Sequence, residues 1–482
     1  MQSMRGKQRS TREPILIGID IGTTVLKVCA FDGVSGKSAA RTSKKLPVKL
    51  LADGGREQNV RSLDRALSKA MKEIREHLGS RWEQVAGMGL AAQGGSSIIA
   101  DRKSGKPLTP MVLWNDGRAY RQAALIEKRT TPEFWREFTL RERMPHGLAR
   151  LAWLREKSPD LFHDFNIHVG AGEWVFHRLT GVWRQDSGNA IQVGSYNAAT
   201  KQLDPAALDI IDIELSFFAG LREGHETAPL SVAAAKRFDL PQGVPVAGPY
   251  IDQEAGYLSA VGAAQRPVHC SLGTAWVCNY ARPDSDAIDS PLQLVLPAVV
   301  EDGQLVVLPL GTGNTAWDWA LTTFCDANHG KALKKADTVF RKRLIPPDGL
   351  LALPHLAQRN PFYPEAFGAG AFFGINTATT KGDLLRAVAA GMVFELANAL
   401  QEPLANGAAD AIVVGGGASK GIYFSRLIAA MFPGRSVRRQ VEEDLTVARG
   451  TIYAFAPALA CASTVAVEYP GEPECQAIRK AA

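Results

Sequence analysis

The chain has 482 residues, 46% of them hydrophobic and 22% charged, which is the composition of a globular protein too long for a single ordinary core. Its net charge of +6 is small, and the basic clusters at Arg5, Lys7, Arg9 and Arg12 and at Arg435, Arg438 and Arg439 lack interleaved aromatics, so no nucleic-acid partner is expected. No apolar run reaches the ~18 residues of a membrane helix and no signal-type apolar core is present, so no membrane partner and a cytoplasmic location are expected.

The first predicted element is the run from Ile15 to Phe31, two short strands joined by a tight turn at Asp20-Ile21-Gly22-Thr23-Thr24 and ending past Lys27. Glycine lets such a turn bend, and its N–H groups and threonine hydroxyls can close on a phosphate. Asp20 in the same space suits a metal-bound water. An ordinary turn would also account for these residues. Gly36-Lys37-Ser38 ends like a P-loop, but the upstream glycine of that motif would fall at Phe31, so it is read as a hairpin turn leading to a third strand.

Ser62 to Leu78 has helical spacing, with Leu63, Ala66, Ala70, Ile74 and Leu78 on one face. Strands are expected at Val85–Leu90, before Gln93-Gly94-Gly95, at Ser97–Ala100 and at Met111–Trp114. The last delivers Trp114-Asn115-Asp116-Gly117-Arg118, a set able to bond a polyhydroxylated ligand and stack on it, or to form a strand-end turn with an internal ion pair. A helix is expected at Leu148–Lys157.

From Val244 the pattern restarts. The glycine-bounded stretch Gly248 to Gly256 contains Asp252, a carboxylate placed for general-base chemistry or for a helix N-cap. A second hairpin follows, Val268–Leu272 and Ala275–Tyr280 around Gly273-Thr274, echoing the first. Two such hairpins, one opening each half, point to a duplicated α/β domain closing on a shared ligand. A helix at Gly382–Leu400 precedes a strand, Ala411–Val414, that runs into Gly415-Gly416-Gly417 and a further helix. That strand–glycine–helix order suits a nucleotide loop, although G-x-G-x-x-G fails at Lys420. Six cysteines without C-x-x-C spacing are expected to be free, and nine histidines show no zinc spacing.

In order, GIDIGTTVLK, AAQGG, LWNDGR, LTG, the Asp252 segment, SLGTAWV, RAVAAGMVFEL and VVGGGASK make the chain resemble the FGGY family of carbohydrate kinases, and most of all its xylulokinase-like members. The resemblance implies two actin-like (ribonuclease H-like) domains, 14–263 for sugar and the first phosphate loop and 264–470 for ATP, with an ATP/sugar cleft between them. It implies ATP-dependent phosphorylation of a ketose such as a xylulose- or ribulose-like pentulose, or of a polyol, with ATP and Mg2+. Carried over by position, Asp252 and Asp20 would be catalytic and hold the metal. Gln93, Trp114, Asp116, Arg118 and Gln253 would serve the sugar. Gly22, Thr23, Thr24, Lys27, Gly273, Thr274, Gly313, Gly415, Gly416 and Gly417 would serve ATP. A homodimer is left open as the assembly. Gly95-Ser96 replaces the Met-His pair usual in xylulokinases, Pro249-Tyr250-Ile251 replaces the usual glycines before the base, and Arg449-Gly450-Thr451 departs from a late Gly-Ala-Ala segment. The rival readings are an actin-like nucleotide-dependent sensor or scaffold, and an NADP-dependent oxidoreductase built on the Gly415 loop.

Overall fold

The computed structural model describes residues 13–282, 294–297, 303–356, 370–405, 409–461 and 463–468, and positions 475, 476, 478 and 480. The basic residues at 5, 7, 9 and 12 lie outside them. The opening run folds as expected into β1 (Ile15–Ile21) and β2 (Val25–Asp32), followed by β3 (Ser38–Lys45). Alternation sorts β1 onto two faces. Ile15, Ile17, Ile19 and Ile21 enter the core shared with Leu63, Leu67, Ala70 and Ile74 of helix α1 (Val60–Leu78), whereas Leu16 packs with Cys29 and Phe31 on the other side. Asn59 caps α1 by accepting from the Arg61 and Ser62 amides.

With β4 (Val85–Ala92), β5 (Thr227–Pro229) and β6 (Pro245–Ile251), these strands make a six-stranded sheet in the order β5-β6-β4-β1-β2-β3. β1, β4 and β6 are parallel, and β1, β2 and β3 form an antiparallel meander. The second half repeats the plan. β7 (Pro267–Leu272), β8 (Trp276–Arg282), β9 (Leu294–Pro297), β10 (Gln304–Pro309), β11 (Ala411–Gly415), β12 (Ser436–Gln440) and β13 (Thr464–Ala466) form a seven-stranded sheet, β9-β10-β8-β7-β11-β12-β13. Here too an antiparallel meander, β7-β8-β10, adjoins parallel strands β7-β11-β12. The duplication read from two short hairpins therefore extends to strand order and direction in both sheets.

Several expected boundaries move. β4 runs through Ala92, the strand at Met111 stops at Val112, and Gly248 to Ile251 belong to β6 rather than to a loop. Gly417–Lys420 is a 3-10 turn ahead of the helix at Ile422–Met431. Cys29, Cys270, Cys278, Cys325 and Cys461 form no disulfide. Arg435, Arg438 and Arg439 are engaged by Leu404 O, the Thr464 hydroxyl and Glu443, so they form no open basic patch. No described helix is long and apolar enough to cross a membrane.

Helix α3 (Ser187–Val193) packs against β6, helix α2 (His146–Lys157) packs against α3, and α4 (Asp252–Leu258) leaves the end of β6. α5 (Asn314–Phe324) and α6 (Lys381–Ala405) belong to the second half, as does α7 (Ile422–Met431). The short α8 (Thr446–Gly450) returns to the first sheet. A Cβ at Gly18 of β1 would overlap the Ala448 carbonyl, one at Gly89 of β4 would overlap that of Thr451, and one at Gly450 would overlap that of Ala255 in α4. Arg449 fixes the seam by donating to Gly36 O at 2.7 Å and to Glu442 at 2.8 Å. The divergent Arg449-Gly450-Thr451 segment is thus the seam between the halves.

Gly450→Ala is expected to cost about 2 kcal/mol or more, the scale of an overpacked core site, as a lowered urea midpoint. Gly220→Ala, where nothing lies within 4 Å, is the control and should stay within about 0.5 kcal/mol of the parent.

Candidate active site

Register places the first set of residues. Ala92 of β4 pairs with Ile21 of β1 and with Ile251 of β6, so Gly22, Gln93 and Asp252 leave three adjacent parallel strands at one level. The carboxyl ends of parallel strands are where α/β sheets bind ligands. Asp20 is buried one residue inside this edge and meets Lys27, its cross-strand partner, at 3.4 Å. Burial raises the Asp20 carboxyl and Lys27 opposes that shift. Asp252 is half-buried at the first position of α4, where its Oδ1 accepts the Gln253 amide at 2.9 Å; the N-cap position falls to Ile251. Burial, aided by the charge of Asp20, pushes Asp252 up to about 7. Two interacting carboxylates, of which only Asp20 meets an ammonium, form a site that a divalent cation would neutralise. Among the described residues no third acidic, histidine or cysteine ligand joins them, which suits a hydrated, oxygen-seeking ion of the Mg2+ type.

Beside the acids, the Thr23 hydroxyl donates to Gln93 Oε1 at 2.9 Å and accepts from Trp114 Nε1 at 3.1 Å. Thr23, expected on the phosphate side, therefore has its hydroxyl committed to Gln93 and Trp114, while Thr24 is exposed at the turn. Gln93 is 4% exposed and its Nε2 has no protein partner, an unspent donor at the strand edge. The Trp114 ring is 42% exposed and offers an apolar face. Asp116 is fully buried; its Oδ2 accepts the Arg56 amide and Arg118 Nη2, each at 2.7 Å, and its Oδ1 accepts the Arg118 amide and Nε, each at 3.0 Å. Arg118 also meets Glu57 at 2.8 Å and covers the Trp153 ring. This pair braces the Trp114 turn from behind. The sequence reading missed Arg150, a buried cation on α2 that donates to Trp114 O and to Gly95 O, each at 2.7 Å. A lone arginine amid Leu148, Leu151 and Leu154 was its only trace.

The second sheet offers backbone instead of acids. Gly273 and Thr274 form the β7–β8 turn, strapped to the 312–314 loop by Asn314 N to Gly273 O and Trp276 N to Thr312 O, each 3.1 Å. Gly313 has no room for a side chain against the Thr274 carbonyl. Gly416, at φ +87°, lies against the Leu272 backbone, which a Cβ would meet at 2.8 Å. These contacts bring the turns at Gly273, Gly313 and Gly416 together; the Gly416 amide is spent on Glu443 O at 3.2 Å, and the buried Thr312 hydroxyl has no protein partner. Such a cradle fits polyphosphate. Asn314, also missed, ties it together through Trp276 Nε1 and Leu272 O. Gly417 to Gly421 spells G-x-S-x-G, which corrects the expectation that the chain has no such motif; Ser419 is buried and donates to Gly416 O at 2.7 Å, so it closes a turn. Gln253, expected at the sugar, accepts from Asn279 of β8 through Oε1 at 3.1 Å and so links the two halves.

Residues 15–259 match the N-terminal domain of the FGGY family of carbohydrate kinases. A xylulose kinase of Staphylococcus epidermidis is 23% identical over 92% of this chain and 88% of its own length. The L-xylulose/3-keto-L-gulonate kinase of Escherichia coli is 25% identical over 78% of this chain and 75% of that protein. The solved xylulose kinase from Rhodospirillum rubrum superposes with a TM-score of 0.82 at 18% identity, covering 97% of this chain and 96% of the other. Gluconate kinase from Lactobacillus acidophilus gives 0.80 at 22%, with the same coverage. The fold is the two-domain actin-like α/β fold.

The raised Asp252 carboxyl has a consequence for stability. Between its ordinary value of 3.8 and about 7, the folded protein keeps a proton that the unfolded chain has released, so stability falls as pH rises through that window. Asp252→Asn lacks this slope. In protein free of nucleotide and metal, the variant should gain on the parent in urea midpoint between about pH 5 and about pH 8, and parallel pH profiles would contradict the shift.

Proposed function

Because the chain belongs to the FGGY family of carbohydrate kinases and is thereby an ATP-dependent sugar kinase, we propose that it phosphorylates a hydroxyl of a ketose such as a pentulose, or of a polyol, with Asp252 as general base. The observation carrying this reading is the register that sends Asp252 and Gln93 out side by side at the edge where Asp20 is buried. As the acceptor oxygen bonds to the γ-phosphorus, its proton passes to Asp252, the bond to the β–γ bridging oxygen breaks, and ADP departs. Free of metal, burial holds the Asp252 carboxyl near 7, and a cation beside it would favour the ionised form that accepts the proton.

The unspent Gln93 Nε2 would bond a sugar hydroxyl, and the exposed Trp114 ring would lie against the sugar's apolar face. Thr23 would orient Gln93, while Asp116, Arg118 and Arg150 would hold the Trp114 turn. Gly22, Thr24 and Lys27 on one hairpin, and Gly273, Thr274, Gly313 and Gly415 to Gly417 on the other side, would receive ATP. Asp20 and Asp252 would hold Mg2+, whose charge would offset that of the phosphate oxygens. Residues 14–263 would then form the acceptor unit and 264–470 the nucleotide unit. Where xylulokinases carry Met-His, the space beside Gly95 is taken by the Gln192 amide, which gives this pocket its own lining. Family membership removes the oxidoreductase alternative.

The xylulose and L-xylulose/3-keto-L-gulonate kinases among its relatives make pentuloses the first acceptors to assay, followed by hexuloses, heptuloses and polyols. With the best acceptor, Asp252→Asn should lower kcat by about 10³-fold while ATP binds within about two-fold of the parent. Near-normal turnover in that variant would refute the base assignment.

A further inference from the structure

Arg222 lies in the loop before β5, far in sequence from every residue assigned above, yet its side chain is only 5% exposed. Its Nε donates to Pro249 O at 3.1 Å, in the strand that leads into Asp252. Its Nη2 donates to Glu254 at 2.8 Å, in the helix that leads away from Asp252, and to Asp186 at 3.1 Å. One planar side chain therefore grips the backbone before the carboxylate and a side chain after it.

The grip continues to the acceptor loop. Asp186 caps α3, accepting the Gly188 amide at 2.7 Å and the Asn189 amide at 3.3 Å. Asn189 Oδ1 in turn accepts the Gly95 amide at 2.7 Å, two residues beyond Gln93. Asp186, Asn189 and Glu254 are all buried. Burying two carboxylates on one guanidinium is costly to desolvate and returns little net stability, but the fixed fork of arginine imposes direction on everything it touches. The same contacts explain how Pro249-Tyr250-Ile251 fits where the family usually has glycines. Pro249 gives its carbonyl to Arg222, the guanidinium lies 4.3 Å from the Tyr250 ring centroid, and Ile251 fills the space beside Gly94 and Gly188.

We propose that Arg222 is a positioning residue for phosphoryl transfer, fixing the Asp252 carboxylate relative to the acceptor loop Gln93–Gly95 through Asp186 and Asn189. This rests on Asp252 being the base. A lysine keeps the charge but, as a point donor, cannot hold Pro249 O and both carboxylates at once. Arg222→Lys should therefore lower kcat about 10- to 100-fold, the cost of an ångström-scale misplacement, with the KM for ATP within about two-fold of the parent.

The test is a double-mutant cycle of Arg222→Lys and Asp252→Asn, with kcat, both KM values and melting temperature measured for each protein. Once Asp252 is gone there is nothing left to position, so the double variant should be no slower than Asp252→Asn alone. Losses that multiply in full, or unchanged kcat in folded Arg222→Lys, would overturn the role of Arg222 and leave the base intact. Unchanged kcat in Asp252→Asn would instead overturn the base itself. Should Arg222→Lys fail to fold, Glu254→Gln, which keeps the side chain's shape and removes one charged partner, takes its place in the cycle. The same non-additivity is then expected, and full additivity or unchanged kcat would overturn the proposal.

Discussion

The close approach of α8 to the first sheet is the constraint on which the rest depends. Gly18, Gly89 and Gly450 have no side chains, so backbone meets backbone at these points of the seam, and Leu445, Ile452 and Phe455 pack against the first sheet around them. Packed interiors transmit displacement because they have few voids to absorb it. The seam touches α4 through Ala255, and α4 begins at Asp252. Gln253 reaches Asn279 of the second sheet from the same helix, and Gln440 of the second sheet reaches Ser259 just past its end. The proposed base thus sits on an element held by both halves.

On that frame, one topology is used for two opposite chemistries. The first sheet's edge concentrates negative charge at Asp20 and Asp252, with Lys27 as partial compensation, and burial makes both carboxyls reluctant to ionise. The second sheet's edge instead carries the glycine turns at Gly273, Gly313 and Gly416, where backbone lies against backbone. An anionic nucleotide is matched to the second edge and mismatched to the first unless a cation intervenes. Buried carboxylates disfavour the charged state until a cation or a reacting hydroxyl relieves them, and that unfavourable electrostatics is a mark of functional sites.

The sequence made the frame legible because both hairpins are contiguous, with period-2 apolar runs around a glycine turn, and α1 showed its buried stripe. Asp20, Gln93 and Asp252 stand at strand ends that such patterns locate. What the sequence hid are side chains whose partners are distant along the chain. Arg222 meets residues 36 and 32 positions away, and Arg150 meets residues 36 and 55 positions away. Single arginines in apolar or loop surroundings carry no local periodicity. Thr23, Asp116 and Gln253 were visible as polar residues at the right places, yet their hydrogen bonds turn them toward neighbouring protein groups. Gly416 looked like a phosphate loop feeding a helix; its contact with Leu272 and the 3-10 turn after it show a loop shaped first by strand packing.

The most direct test of a site with an acidic acceptor edge and a glycine-lined nucleotide edge is a structure with a non-hydrolysable ATP analogue and an accepted ketose bound together. The γ-phosphate should lie between the Gly22 and Gly273 turns, with the reacting hydroxyl within about 3 Å of an Asp252 oxygen. A ketose bound with every hydroxyl out of reach of Asp252, or phosphates seated away from the Gly273–Gly313–Gly416 surface, would contradict it.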